Sequence, residues 1–477
     1  MTDRFLSGRT ECEGLPVRYH ISHLSLIHGW VPVVVQIVAA VVLTCAVGWR
    51  ARRWRMRWFA WALIGGALTA IGARWYIASA GIAGGAPPAS LWIWIGLSGL
   101  TVGILVMGWR SAPWWRRGLS ALSVPLCVLS AALVLNLWVG YFPTLHSVWT
   151  QLTSGPLPDQ VDRSTVTAMQ LEGARPDHGA VVPVTISADG SGFKHRQEFV
   201  YLPPAWFATN PPPRLPVVMM IGAEFNTPSD WVRAGNAIVT VDRFAALHRG
   251  NAPVLVFTDT GGAFDVDTEC VNGSRGNAAD HLTKDVVPFI TSNFGASADR
   301  RQWGVAGFSA GGTCAVDLAV MHPEMFSAFV DIAGDLGPNT GTKEQTIARL
   351  FGGRSDAWAN FDPATVIGRH QQYAGLSGYF AFVASPGHGS DPRDAEGQAA
   401  HTLCGLAAGK GISCTLMPLP GTHDWPFAGT AFAVSLPWLA AQLGTPGVPM
   451  APSHPSSATS PVASSTQAAV GPAQVGS

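Results

Sequence analysis

The sequence predicts a mostly parallel α/β sandwich preceded by four transmembrane α-helices. Two observations carry this reading. Four apolar runs follow one another within residues 26–142, and eight apolar segments of strand length, interleaved with helical patterns, lie between 180 and 421. Composition agrees: of 477 residues only 13% are charged, about half the usual share of a soluble domain. Thirty basic and thirty acidic residues cancel, so no net field favours nucleic acid as a partner.

The apolar runs are 26–49, 58–80, 90–109 and 119–142, each about 20 residues or longer and edged by Trp. Arg50, Arg52, Arg53, Arg55 and Arg57 separate the first two runs, and Arg110, Arg116 and Arg117 separate the last two. The loop "GIAGGAPPA" between the second and third runs has no charge, and no Lys or Arg follows the fourth until Arg163. Basic loops stay in the cytoplasm. The expectation is a multi-pass protein of the cell membrane with everything beyond about residue 143 on the extracytoplasmic side. Arg4, Arg9 and Arg18 in the N-terminal tail (1–25) run against this orientation. Arg74, near the outer end of the second run, is placed to snorkel to the interface.

Residues 143–177 are mixed and polar and read as a linker. The strand-like segments are 180–187, 197–203, 215–222, 252–260, 301–309, 326–334, 378–385 and 413–421. The first two, joined by a Gly-containing turn at 190–192, predict an antiparallel hairpin at one edge. The others are continuous apolar runs alternating with helical patterns at 279–293, 311–322 and 394–409, which predicts parallel strands buried on both faces. Beyond 444 the chain is rich in Pro, Ser, Ala and Gly, and is expected to be disordered. Cys270, Cys314, Cys404 and Cys414 fall in the soluble part. An oxidising compartment allows two disulfides; Cys404 with Cys414 is preferred because it closes a short loop, leaving Cys270 with Cys314.

The chemistry is concentrated in "WGVAGFSAGGTCAVDLA". Gly307-Phe308-Ser309-Ala310-Gly311 is G-x-S-x-G at a predicted strand-to-helix turn. A nucleophilic serine there must project above the strand ends, which forces a sharp turn flanked by small residues. The N–H of Ala310, at the helix start, is placed to donate to an oxyanion. The base is His423 in "PLPGTHDWPF", after the last strand. An acid belongs after the preceding strand, where "PGHGSDPRDAEG" offers Asp391, Asp394 and Glu396. Asp391 is preferred as nearest the strand end, with Asp394 as the alternative acid. The second oxyanion donor is expected from the N–H of Ala223, after Gly222, with Glu224 close by. No metal or organic cofactor is implied.

On "VYLPPAW", "LPVVMMIG", "DTECVNGSRGNAADHLTKDVVPFI", "GFSAGGTCAVDLAVMHPEMFSAFVDIAG" and "PGTHDWPF", residues of about 178–444 resemble the putative esterase family of α/β-hydrolases. This family includes esterase D and the antigen 85 mycolyltransferases, and more narrowly the chain resembles actinobacterial members that place several transmembrane helices before this domain. The resemblance implies an α/β-hydrolase domain with Ser309 as nucleophile, His423 as base, and Ala223 and Ala310 as oxyanion donors. The family often has His-Gly or Asp-Gly before the first donor, where this chain has Ile221-Gly222. The expected activity is hydrolysis of carboxylic esters, with acyl or aminoacyl lipids of the envelope as substrates. Acyl transfer of the mycolyltransferase type and a catalytically inactive scaffold are the alternatives.

Overall fold

The computed structural model describes residues 24–27, 29–47, 55–80, 87–110, 112–153, 155–173, 176–263, 266–384 and 395–449. Most of the N-terminal tail, most of the first arginine-rich loop, most of the uncharged loop and the Pro/Ser-rich segment from 450 lie outside them.

The apolar runs form helices α1 (Val31–Val47), α2 (Ala60–Ala80, preceded by a π turn over Arg55–Phe59), α3 (Ala89–Gly108) and α4 (Trp114–Val139). Among the described residues three helices, Met56–Ser79, Ala89–Gly108 and Trp114–Val139, are long and apolar enough to cross a bilayer. The expected four become three by this measure. The 17 described residues of α1 span about 26 Å, against a hydrocarbon core of roughly 30 Å. Its predicted first turn is engaged elsewhere, because Leu26 N–H donates to the Pro143 carbonyl and Ser25 bridges Thr144. α2 and α3 approach closely through small residues: a Cβ on Gly99 would strike Thr69, and one on Gly103 would meet Ala62. The bundle's outer surface exposes Val33, Ile37, Leu68, Ile71, Ile93 and Val106, the reverse of a soluble helical bundle.

The remaining chain builds one eight-stranded sheet. Its strands are β1 (Ala180–Val184), β2 (Glu198–Leu202), β3 (Val217–Ile221), β4 (Val254–Thr258), β5 (Trp303–Phe308), β6 (Ala328–Ile332), β7 (Ser377–Val383) and β8 (Ser413–Leu419). They lie in the order β1-β2-β4-β3-β5-β6-β7-β8. β2 pairs antiparallel with β1 and β4, and the other pairings are parallel. Every residue of β3 to β6 is buried, which is why these strands read as largely apolar runs, with Asp331 the one charged residue among them.

Helices α5 (Ala237–Leu247), α6 (Ala310–Met321), α7 (Lys343–Phe351), α8 (Ala395–Ala408) and α9 (Trp425–Gln442) are the longer helices around it. α6 and α8 bury Val316, Leu318 and Leu403 on one face, while α5 and α9 bury Val241, Phe432 and Leu436 on the other. The segment read as a linker carries two helices, Leu145–Leu152 and Arg163–Leu171. Between these, Val161 N–H donates to the Val181 carbonyl of β1 at 2.9 Å, and Val181 N–H donates to the Asp159 carbonyl at 3.0 Å.

Disulfides join Cys270 to Cys314 and Cys404 to Cys414. The first ties the loop after β4 to helix α6. Replacing Cys270 and Cys314 together by Ser is expected to lower stability by about 2–4 kcal/mol. The readout is a reduced Tm in detergent without reductant, and an unchanged Tm contradicts the assignment.

Candidate active site

At the end of β5 the backbone turns sharply into α6. Ser309 sits at the corner with φ 58° and ψ −123°, a conformation few non-glycine residues adopt. Its own N–H is held by the Ile332 carbonyl of β6 at 2.8 Å, and its carbonyl accepts from Gly312 and Thr313 at 2.8 and 3.1 Å. Glycine is required on both sides of the serine. A Cβ on Gly307 would overlap the Gly311 carbonyl, and one on Gly311 would overlap the carbonyls of Ile221 and Gly222. The turn therefore closes only with bare backbone at both positions.

His423 reaches this corner from the loop between β8 and α9. Its Nε2 lies 3.0 Å from Ser309 Oγ and its Nδ1 lies 2.6 Å from Glu396 Oε1. A carboxylate at Nδ1 fixes the tautomer with the proton there, so Nε2 accepts from the serine hydroxyl. The ring rests on Phe308, with centroids 4.9 Å apart, and Phe308 packs in turn on Trp425. Asp424, next to the histidine, caps α9 by accepting from Phe427 N–H at 2.9 Å. It is thus a structural residue of the loop.

Among the described residues the carboxylate at His423 is one that the sequence offered but did not single out. Glu396, in the first turn of α8, is the carboxylate that meets His423. Asp391 and Asp394 lie outside the described residues. The choice of Asp391 rested on proximity to the end of β7, whereas the longer glutamate side chain arrives from the following helix. The available signal was the position of Glu396 at a predicted helix start, where the macrodipole favours a carboxylate.

Burial opposes a charge on His423, but the Glu396 hydrogen bond and the negative charges of Glu396, Asp335 and Asp424 outweigh it and raise its pKa above 6.5. A deeper carboxyl, Asp331, is shifted upward as well, but in its case toward the neutral form. Burial, reinforced by Asp335 and Glu396, pushes Asp331 up to about 8 despite a hydrogen bond from Gly334 N–H.

Ala223 and Ala310, the expected oxyanion donors, line one cleft with Gly222 and Gly311. The same cleft is lined by Glu224, Asp267 and Glu269. Burial, together with Asp267, Asp335 and Glu224, pushes Glu269 far above the usual carboxylate range. The loop 222–229 that carries Ala223 has no regular secondary structure and includes Phe225 at φ 63°. One anchor comes from Arg196, which donates to the Asn226 carbonyl at 2.6 Å while paired with buried Asp259 at 2.6 Å. Burial raises the Asp259 pKa, but Arg196 more than offsets it and holds the carboxyl below its ordinary value.

Sequence reading found no metal spacing, yet His195, Glu198 and His281 bring one ligand atom each within 4.8 Å of one another. Their own hydrogen bonds account for this cluster. Both ring nitrogens of His195 face carbonyl oxygens, of Arg196 and Ile186, at 2.9 Å. His281 lies between Glu198 and Asp285 at 3.2 and 3.1 Å. Glu198 also accepts from Asp259 N–H at 2.9 Å, so the cluster supports the Arg196–Asp259 anchor.

A family model described as Putative esterase matches residues 194–397. An uncharacterized protein of Corynebacterium glutamicum is 31% identical over 342 residues, covering 69% of this chain and 77% of that protein. Among solved structures, a ferulic acid esterase aligns at 16% identity with TM-score 0.45, over 56% of this chain and 99% of its own. An S-formylglutathione hydrolase from Agrobacterium tumefaciens aligns at 19% identity with TM-score 0.43, over 55% and 99%.

The electrostatics around His423 give a direct test. In ring-labelled protein its imidazole is expected to titrate above pH 6.5, and Glu396→Gln should move that titration to lower pH. Because the folded-state value is raised, the pairing stabilises the fold most below about pH 6.5 and is lost as pH rises through the folded-state pKa. A His423 titration that ignores Glu396→Gln would remove this carboxylate from the site.

Proposed function

The chain belongs to the putative esterase family of α/β-hydrolases, and from that premise we propose that it is a membrane-anchored serine esterase. The observation that carries the reading is the continuous chain Ser309 Oγ–His423 Nε2/Nδ1–Glu396 Oε1, at 3.0 and 2.6 Å. In this mechanism His423 takes the hydroxyl proton as Ser309 attacks the ester carbonyl. Glu396 stabilises the imidazolium that forms, and the Ala223 and Ala310 N–H groups receive the oxyanion. The imidazolium then protonates the departing alcohol. Water, deprotonated by the same imidazole, cleaves the acyl-enzyme and releases the acid.

The substrate is proposed to be an ester carried by the bilayer, an acyl or aminoacyl lipid of the cell envelope. Two features support this. The apolar helices α2–α4 hold the domain at a membrane, which raises its local concentration toward lipid-borne esters. Three carboxyl groups line the cleft beside the oxyanion position, Glu224, Asp267 and Glu269; their crowding with burial is what pushes Glu269 upward, and an ammonium substituent on the acyl group would relieve it by hydrogen-bonding to them. Arg57, Arg110, Arg116 and Arg117 flank the helix ends opposite those that lead toward the hydrolase domain, which supports an extracytoplasmic site at the cell membrane.

Membranes containing the wild-type chain are expected to be labelled by a fluorophosphonate probe, and Ser309→Ala to abolish the label. His423→Ala should lower kcat on a soluble ester by about four orders of magnitude or more. Activity should rise with pH as His423 loses its proton, with the acidic limb above 6.5. A folded wild-type chain that neither labels nor cleaves esters sinks the proposal.

A further inference from the structure

The junction between helix α4 and the hydrolase domain touches both sides of the active site. α4 ends at Gly140, a left-handed C-cap with φ 67° whose N–H donates to the Asn136 carbonyl at 2.7 Å. The Asn136 side chain then grips the next segment. Its Oδ1 accepts from Phe142 N–H at 2.7 Å, and its Nδ2 donates to the Phe142 carbonyl at 2.9 Å. Tyr141 is thereby held in one orientation at the end of an apolar helix.

On one side, Gly140 packs against the residue after His423. A Cβ on Gly140 would fall on the Asp424 side chain. On the other side, the Tyr141 hydroxyl donates to Asp230 Oδ1 at 2.5 Å. Asp230 is fully buried, and it accepts from Thr227 N–H at 2.6 Å and Thr227 Oγ1 at 2.9 Å. Thr227 belongs to the loop that carries Ala223. The residue after Asp230, Trp231, donates from Nε1 to the Ile221 carbonyl at 2.9 Å, at the point where this loop leaves β3. A second contact between bundle and domain lies at the end of α2, where Arg349 of α7 donates to the carbonyls of Ala78 and Ser79 at 2.9 and 3.1 Å.

We propose that Tyr141 is a positioning residue of the esterase site: through Asp230 and Thr227 it orders the loop that presents the Ala223 N–H, so that the helical region is a working part of the catalytic domain. The inference rests on the esterase reading for its effect on turnover, but its structural half stands without it. The chemistry is that of a buried carboxyl serving as a hub. Burial raises the Asp230 pKa, against the hydrogen bonds from Thr227 and Tyr141 that favour its charged form. Loss of the tyrosine hydroxyl removes one of those bonds and loosens the Thr227 anchor. The loop has no ladder or helix of its own to compensate.

The experiment uses the full chain in detergent and four variants: Tyr141→Phe, Asp230→Asn, the two combined, and Tyr201→Phe as a control. Tyr201 is another buried tyrosine bonded to a carboxylate, Asp242 of α5. With a short soluble ester, Tyr141→Phe is expected to lower kcat about tenfold with KM nearly unchanged, the size of one charge-assisted hydrogen bond. Adding Asp230→Asn to Tyr141→Phe should cost much less than the product of the two single effects. Tyr201→Phe should leave kcat unchanged even where it lowers Tm. Independently of turnover, amide hydrogen exchange over residues 222–229 should quicken about fivefold or more in Tyr141→Phe and not in Tyr201→Phe. Wild-type kcat and exchange in Tyr141→Phe would overturn the proposal, as would equal losses in the tyrosine control. A wild-type chain that cleaves no ester but shows the exchange difference rejects the esterase reading and keeps the strut.

Discussion

Everything at the candidate site depends on how closely strand β5 and helix α6 can approach at Ser309. The serine backbone is held where side-chained residues seldom go, by a hydrogen bond from its N–H to β6 and by two N–H groups of α6 on its carbonyl. Such a conformation costs on the order of 1–3 kcal/mol and persists only where its surroundings over-determine it. Here they do, because Gly307 and Gly311 let backbone meet backbone on both sides. The hydroxyl consequently projects from a rigid corner, and the loops that surround it must come to it.

The histidine loop meets that demand by packing. Trp425 is buried between Phe308, the residue before the serine, and Trp231, with ring centroids 5.4 and 5.2 Å away. Two loops from distant parts of the chain thus share one aromatic cluster beneath the site. The electrostatics are layered on top. Burial holds Asp331 near 8 and so lowers the negative charge behind the site, while Glu396 remains the direct partner of the imidazole.

The sheet was legible in the sequence because its central strands are buried on both faces, so that largely apolar runs of five to six residues marked β3 to β6 even where Asp331 interrupts one of them. Ser309 and His423 were legible for a different reason: a strained turn and a loop at the sheet's rim admit few residue types, and those types are glycine-rich and visible. Glu396 was harder to choose. A carboxylate can reach the imidazole from a loop or from a helix start, and the sequence contains three within six residues. The start of α1 at Val31, later than the apolar run at 26, was not legible because hydropathy does not register that Leu26 pairs with Pro143. The contact between Tyr141 and Asp230 joins residues 89 positions apart, and no local pattern encodes it.

That long-range contact explains the placement of a buried acid in this fold. A loop that donates to an oxyanion must be ordered before substrate arrives, since catalysis gains from donors that need no reorganisation. Loop 222–229 cannot obtain that order from secondary structure. It is held from the sheet by Arg196, which spans Asp259 and the Asn226 carbonyl. From the opposite flank it is held by Asp230, whose desolvation is countered in part by three hydrogen bonds, one of them from the end of a membrane helix. A tether needs only length, and a flexible linker after α4 would have served that purpose. The C-cap, the Asn136 clasp and the tyrosine hydroxyl instead define a single geometry, which is the requirement of an active site.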